Sequence, residues 1–311
     1  MEHQPLSRMR TALYLLFLVT VWGVNWPLSK YALGFSPPLL FAGLRIFMGG
    51  VLLVLFALPH YKKLRLQATW HIYLLSSLLN VILFYVLQTY GLNVLPAGMF
   101  SAIVFLQPVL LGIGAWIWLG EDMFPMKIIG LVLGFLGVAA ISFHGQSGSF
   151  STAGVLLGIG SAVSWALGTL YMKRTASQVD ALWGIALQMF IGGAFLLILG
   201  SSAESWHDIA WNVPFLSTLL FISIFVTALG WLVFFRLVAS GEASKVGSFT
   251  FLIPLTALVI SVLFLGETVS YHLLAGLVLI LASILLVNAK PKSMRAGQRA
   301  YANSRYRYSK D

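Results

Sequence analysis

The sequence predicts an all-α polytopic membrane protein, with ten transmembrane helices arranged as two inverted five-helix repeats around a central cavity. Three observations predict it. Of the 311 residues, 59% are hydrophobic and only 9% charged, against roughly 25% charged in soluble domains, which leaves too few charges to cover a water-facing surface. The apolar residues fall in runs of the length, about 20 residues, that carries a helix across a hydrocarbon core. The two halves of the chain also match at fixed offsets.

The helices follow in order. Helix one, 11–33, comes after Arg8 and Arg10 as a signal sequence would. The run is too long for such a signal and lacks a small-residue cleavage site, so it is a span. Helix two, 38–58, opens after "SPP" and closes at "ALPHYKKLR". Helices three and four, 70–91 and 96–119, end at "GED", and helix five covers 125–143. The stretch "HGQSGSFST" then separates the halves. Helices six and seven, 153–172 and 181–200, close at "SSAESWHD"; helices eight, nine and ten cover 214–237, 243–265 and 271–288. The domains are therefore a short N-terminus (1–10), a first repeat (11–143), a second (153–288) and a basic tail (289–311).

The net charge of +10 does not point to nucleic acid, because of where it lies. With the N-terminus inside, cytoplasmic segments collect Arg8, Arg10, Lys62, Lys63, Arg65, Lys127, Lys173, Arg174, Arg236 and Lys245, while the outer loops hold Lys30 alone. The tail adds seven more positive residues. That is a topology signal and a basic tail beside anionic lipid. Both termini are expected in the cytoplasm, with the protein in the plasma or inner membrane. The lack of cysteine removes disulfides and thiol chemistry.

An offset of 143 residues puts Trp22 on Trp165, Lys30 on Lys173 and Gly49-Gly50 on Gly192-Gly193. An offset of 146 puts Pro108 on Pro254, "LGE" at 119–121 on "LGE" at 265–267, and Gly130 on Gly276. With five spans in each copy, the second must lie upside down, as in transporters that show one central site to each side in turn.

Polar residues inside lipid must find partners or face a cavity. Helix one carries Trp22, Asn25 and Trp26; helix three places Asn80, Phe84 and Gln88 four apart, on a single helical face. Helix four adds Ser101 and Gln107, helix six Trp165 and Thr169, helix eight Thr227 and Trp231, and helix nine Ser248. Each alone is open to a structural reading, since Ser and Thr can bond their own helix; gathered on repeat-related helices, they read as a cavity lining. Pro27, Pro108 and Pro254 break helix hydrogen bonds inside spans and are candidate gates or hinges, or else packing kinks. Helices five and ten are almost wholly apolar and free to face lipid or a second copy. In helix five the spacing of Gly130, Gly134 and Gly137 suits close helix packing, between copies or within one chain.

The stretches "VWGVNWPLSKYAL", "LRIFMGGVLLV" and "LPAGMFSAIVFLQPVLLGIGAWIWLGEDM", with the repeat copies "SAVSWALGTLYMKR" and "GEASKVGSFTFLIPLTALVISVLFLGETV", resemble the EamA-type transporters of the drug/metabolite transporter superfamily. The resemblance covers 11–288. It implies a basket-shaped bundle whose cavity is lined by helices one, three, four, six, eight and nine. It implies export of small metabolites, often amino acids or related compounds. By position, Trp22, Asn25, Trp26 and Trp165 would line that cavity.

Arg45 lies about 10 Å into helix two at 1.5 Å per residue and reads better as an interfacial anchor or a partner for helix-end carbonyls than as an anion site, while its repeat equivalent is the neutral Gln188. No acidic residue lies deep in any span, which argues against proton-coupled export of lipophilic cations. The glutamates of "LGE" read as helix-end anchors. The six histidines sit in loops or at span ends without ligand spacing, so neither an enzyme, a metal nor a cofactor is expected. The expected function is alternating-access export of a small-molecule substrate such as an amino acid, with Asn25, Asn80, Gln88 and Gln107 as orienting hydrogen-bond partners. A broad-specificity drug exporter is the alternative, and a non-transporting scaffold the weaker one.

Overall fold

The computed structural model describes residues 6–95, 100, 103–142, 151–256 and 271–289, and every regular element among them is helical. α1 (Arg8–Ala32) starts at Ser7, whose hydroxyl accepts from the Arg10 amide. α2 (Pro38–Ala57) opens with proline in its first turn, where a missing N–H costs nothing. α3 runs through Leu66–Ser77, a π-helical turn at Leu78–Leu83, and Phe84–Val94. α4 (Gln107–Leu119) stops at Gly120, at φ +67°, a left-handed conformation that suits glycine. α5 is Pro125–Ser142.

The second half follows the same order. α6 (Thr152–Arg174), α7 (Ala181–Ala203) and α8 are capped by Ser151, Asp180 and Asn212, each accepting from first-turn amides. α8 runs through Val213–Phe221, a π-helical stretch at Ile222–Gly230, and Trp231–Ser240. α9 (Ala243–Thr250) breaks at Phe251 and resumes over 252–256; α10 is Tyr271–Asn288. Among the described residues six helical stretches are long and apolar enough to cross a bilayer: Arg8–Ser29, Pro38–Lys63, Leu66–Gly91, Thr152–Arg174, Ala181–Ala203 and Val213–Ser240. Shorter apolar helices cover Gln107–Leu119, Pro125–Ala140 and Leu274–Asn288, and the C-terminal part of the expected ninth span lies outside the described residues.

Between helices in lipid the drive is close packing rather than exclusion of water, and glycine supplies it. α2 and α7 run antiparallel with backbones in contact. A Cβ on Gly50 would stand 2.5 Å from the Phe190 nitrogen, and one on Gly193 2.4 Å from the Phe47 nitrogen. Gly43 and Gly200 make the same kind of approach to Leu197 and Leu40. Phe47 and Phe190, equivalents at the 143-residue offset, meet each other at 5.2 Å. α5 and α10 pair in the same way: Gly130 lies against the Ser283 carbonyl and Gly137 against that of Gly276. The 146-residue offset exchanges these two contacts. The stripe of Gly130, Gly134 and Gly137 is thus occupied within the chain.

Two expectations change here. Pro108 lies in the first turn of α4, after a turn at Phe105–Leu106, instead of inside an unbroken helix. Pro254 follows the matching break at Phe251. Proline cannot bond the carbonyl four residues back and its ring crowds that carbonyl, so in both copies the helix gives way just before the ring. Pro27, by contrast, is carried within α1.

Candidate functional site

Near the middle of the bundle a cavity of about 50 Å³, room for a few water molecules, is lined from six segments. α1 contributes Trp22, Asn25 and Trp26, and α3 Phe84, Tyr85 and Gln88. The turn before α4 contributes Phe105, α6 Trp165, α8 Val226 and Trp231, and the segment after α9 Ile253. Trp22 packs on Trp165, Trp231 and Phe234 at centroid distances of 5.7, 5.4 and 5.3 Å. Phe84 packs on Trp165 at 5.5 Å.

The π-helical turns place these groups. Their wider winding frees backbone carbonyls from the usual ladder, and a buried carbonyl needs a donor. In α8 the Trp22 indole N–H donates to the Val226 carbonyl (3.2 Å) across Gly230, where a Cβ would stand 2.5 Å from that nitrogen. In α3 the Leu79 and Phe84 carbonyls accept from Ser164 and Ser161 of α6 (2.7 and 3.2 Å).

Beside the cavity Asn25 accepts through Oδ1 from Ser29 Oγ (3.1 Å) and Arg45 Nη1 (3.4 Å), and Arg45 Nη1 also donates to Ser29 Oγ (2.9 Å). The Arg45 guanidinium carbon lies 5.0 Å from the ring centres of both Phe41 and Tyr85. The residue is 6% exposed, so its guanidinium is held inside the bundle. The lining residues include no carboxylate, and among the described residues no group of three His, Cys, Asp or Glu could hold a metal.

Of the expected site residues, Trp22, Asn25, Trp26, Phe84, Gln88, Trp165 and Trp231 lie at the cavity. Others lie elsewhere. Asn80 is buried against Gly168 and donates to Gln188 Oε1 (3.1 Å). The π-helical turn at Leu78–Leu83 inserts the equivalent of an extra residue, so Asn80 no longer shares a face with Phe84 and Gln88. Gln107 is buried where α4 begins, with no partner for its amide among the described residues. Thr169 bonds the Trp165 carbonyl of its own helix (2.9 Å), Thr227 packs on Gly49, and Ser248 donates to the Lys245 carbonyl (2.8 Å). Ser101 lies outside the described residues, as does Glu267. Tyr85, Phe105, Val226 and Ile253 were not expected at the cavity; as apolar or aromatic residues on spans, they carry no signal that separates lining from packing.

At the opposite end of α4 a second polar cluster closes the bundle. Glu121 Oε1 accepts from Lys173 Nζ (3.0 Å) and the Ala243 amide (2.6 Å); Oε2 accepts from the Ser244 amide and hydroxyl. Lys127 approaches the same carboxylate at 3.6 Å and Glu242 at 3.3 Å. Burial raises the Glu121 pKa, but the Ser244 hydroxyl, Lys173 and the Ala243 amide together outweigh it and hold the carboxyl below its ordinary value. Glu121 therefore anchors one helix end to the N-terminus of another. Glu204 does likewise for α2, accepting from the Leu39 and Leu40 amides at 2.9 and 2.8 Å.

A model of the EamA-like transporter family matches residues 9–143 and again 152–289. The chain is 64% identical over 293 residues to "Uncharacterized transporter YvbV" of Bacillus subtilis, covering 94% of this chain and 96% of that one. It is 27% identical over 284 residues to a Salmonella typhimurium protein named "Probable amino-acid metabolite efflux pump", covering 87% and 92%. One crystal structure superposes with a TM-score of 0.79 at 16% identity, covering 91% of this chain and 97% of the other; at that identity the likeness is one of fold.

Proposed function

Because this multi-pass membrane protein belongs to the EamA-like transporter family, we propose that it exports a small, amino-acid-like metabolite by alternating access through the cavity between its halves. The observation that carries the reading is the make-up of the cavity wall: Trp22, Asn25 and Gln88 come from the first half, Trp165 and Trp231 from the second. The substrate class and the direction draw support from the relative named as an amino-acid metabolite efflux pump.

The architecture behind this reading is two inverted five-helix copies, 11–143 and 153–288. The contacts of α2 with α7 and of α5 with α10 exchange under the repeat offsets, as an in-plane two-fold axis requires. The paired breaks ahead of Pro108 and Pro254 and the paired π-helical turns of α3 and α8 support the same symmetry. The positive-inside rule sets both termini in the cytoplasm. The cavity then faces the outer half of the membrane, and the Glu121 cluster seals the cytoplasmic end.

In this cycle the indole faces hold apolar and ammonium parts of the solute, and Asn25 and Gln88 orient it by hydrogen bonds. Pro27, Pro108 and Pro254 act as hinges. The aromatic wall also favours a second reading, a broad-specificity drug exporter; a lipophilic cation would, however, find no carboxylate among the lining residues.

Purified protein reconstituted in vesicles loaded with a panel of labelled amino acids tests the proposal. Saturable efflux of at least one, weakened by Gln88→Leu, which removes a polar lining residue, is the expected result. No flux for any amino acid, with flux of lipophilic cations instead, overturns it in favour of the second reading.

A further inference from the structure

We propose that the central cavity binds its solute by a carboxylate, held against the Asn25 wall and charge-balanced by Arg45. The proposal rests on the transporter reading and names the chemical group that the site selects.

The first argument is an unmatched charge. Arg45 is buried, and among the described residues it meets no carboxylate. The acid at its own end of α2, Glu204, is committed to the Leu39 and Leu40 amides. Arginine carries five N–H donors. Among the described residues its hydrogen bonds run from Nη1, to the neutral oxygens of Asn25 and Ser29, and Nε is buried without a partner. The rings of Phe41 and Tyr85 stabilise the cation but do not neutralise it.

The second argument is that packing does not require the charge. At the equivalent position of the second half stands Gln188, which joins helices through a neutral amide pair with Asn80. The fold packs the equivalent position without a charge, so the guanidinium of the first half serves something other than packing.

The third argument is direction. Asn25 and Tyr85 both line the cavity, and both touch Arg45. With Oδ1 of Asn25 held by Arg45 and Ser29, its NH₂ group is the part left to bond a solute. The Trp165 indole N–H, also at the cavity, is buried without a partner. The wall thus offers donors backed by a positive charge, the complement of a carboxylate. Arg45 acts here as a positioning and charge-supplying residue one layer behind the wall.

The test is calorimetric titration of the purified full chain, at fixed salt, with sodium benzoate and with benzamide, which share a ring and differ in charge. Wild type is expected to bind benzoate about tenfold more tightly, as expected for a full charge at second-layer distance. Arg45→Gln is expected to bring the two affinities together, and Arg45→Lys to keep part of the preference. Equal affinities in wild type, no binding of benzoate, or a preference that survives Arg45→Gln overturns the proposal. The wild-type comparison decides even if Arg45→Gln fails to fold. Amino-acid flux is scored separately: loss of flux with an intact benzoate preference refutes the transporter reading and leaves the anion site standing, and the reverse result does the opposite.

Discussion

Replacing Glu121 with alanine removes the centre of the polar cluster at the end of α4. The carboxylate is 8% exposed and receives Lys173, the Ala243 amide and both donors of Ser244, with Lys127 at 3.6 Å. Removing one partner of a buried ion pair costs about 3–5 kcal/mol. Lys127, fully buried, retains Glu242 and the Asp122 carbonyl (2.9 Å), and Lys173 is 18% exposed and can rehydrate. The loss should therefore fall near the low end, about 3 kcal/mol, including about 1 kcal/mol for the uncapped N-terminus of α9. Denaturant unfolding in detergent micelles, followed by tryptophan fluorescence, measures it.

The same substitution has a pH signature. The folded pKa of Glu121 lies below its ordinary value of 4.5, so its contribution is complete above that value and is lost as pH falls through the lower folded value. The difference between wild type and variant should be flat from about pH 6 to 8 and shrink below about 4.5. A difference under about 1 kcal/mol at pH 7, the worth of an exposed pair, would refute the reasoning. So would one that grows on acidification.

Gly193→Val places a side chain 2.4 Å from the Phe47 backbone nitrogen and should cost about 3 kcal/mol or more, seen as loss of the monodisperse peak in size-exclusion chromatography. Asn80→Leu removes the donor to Gln188 and should cost about 1 kcal/mol of stability, while the folded fraction keeps its benzoate affinity. Trp165→Phe removes an indole N–H that has no partner among the described residues. Because the ring is buried against Trp22, Phe84 and Trp231, the smaller side chain should cost about 1–2 kcal/mol of packing and raise the KM for amino-acid flux several-fold.

Much of the helix order was legible because a hydrocarbon solvent imposes long apolar runs, with the polar and basic residues between them. Trp22, Trp165 and Gly49-Gly50 also gave away the internal match. The polar stripe of α3 was misread because nothing in "LLNVIL" announces a π-helical turn, and that turn moves Asn80 to another face. Ser161 and Ser164 owe their place to the same turn, since they meet the carbonyls beside it. Counting along α2 alone places Arg45 near the helix end; its cover comes partly from Tyr85 on another helix, a neighbour that linear spacing does not reveal. The glycines of α5 suited several partners, and only the packing shows that α10 fills them.

The glycine seam between α2 and α7 has a mechanical consequence. Interlocked side chains resist sliding because each must leave its rotamer to let its neighbour pass. Where Gly43, Gly50, Gly193 and Gly200 bring main chain against main chain, few such teeth exist. The separation of the two helices there is fixed by backbone approach, so any side chain added at the seam would pry α2 from α7.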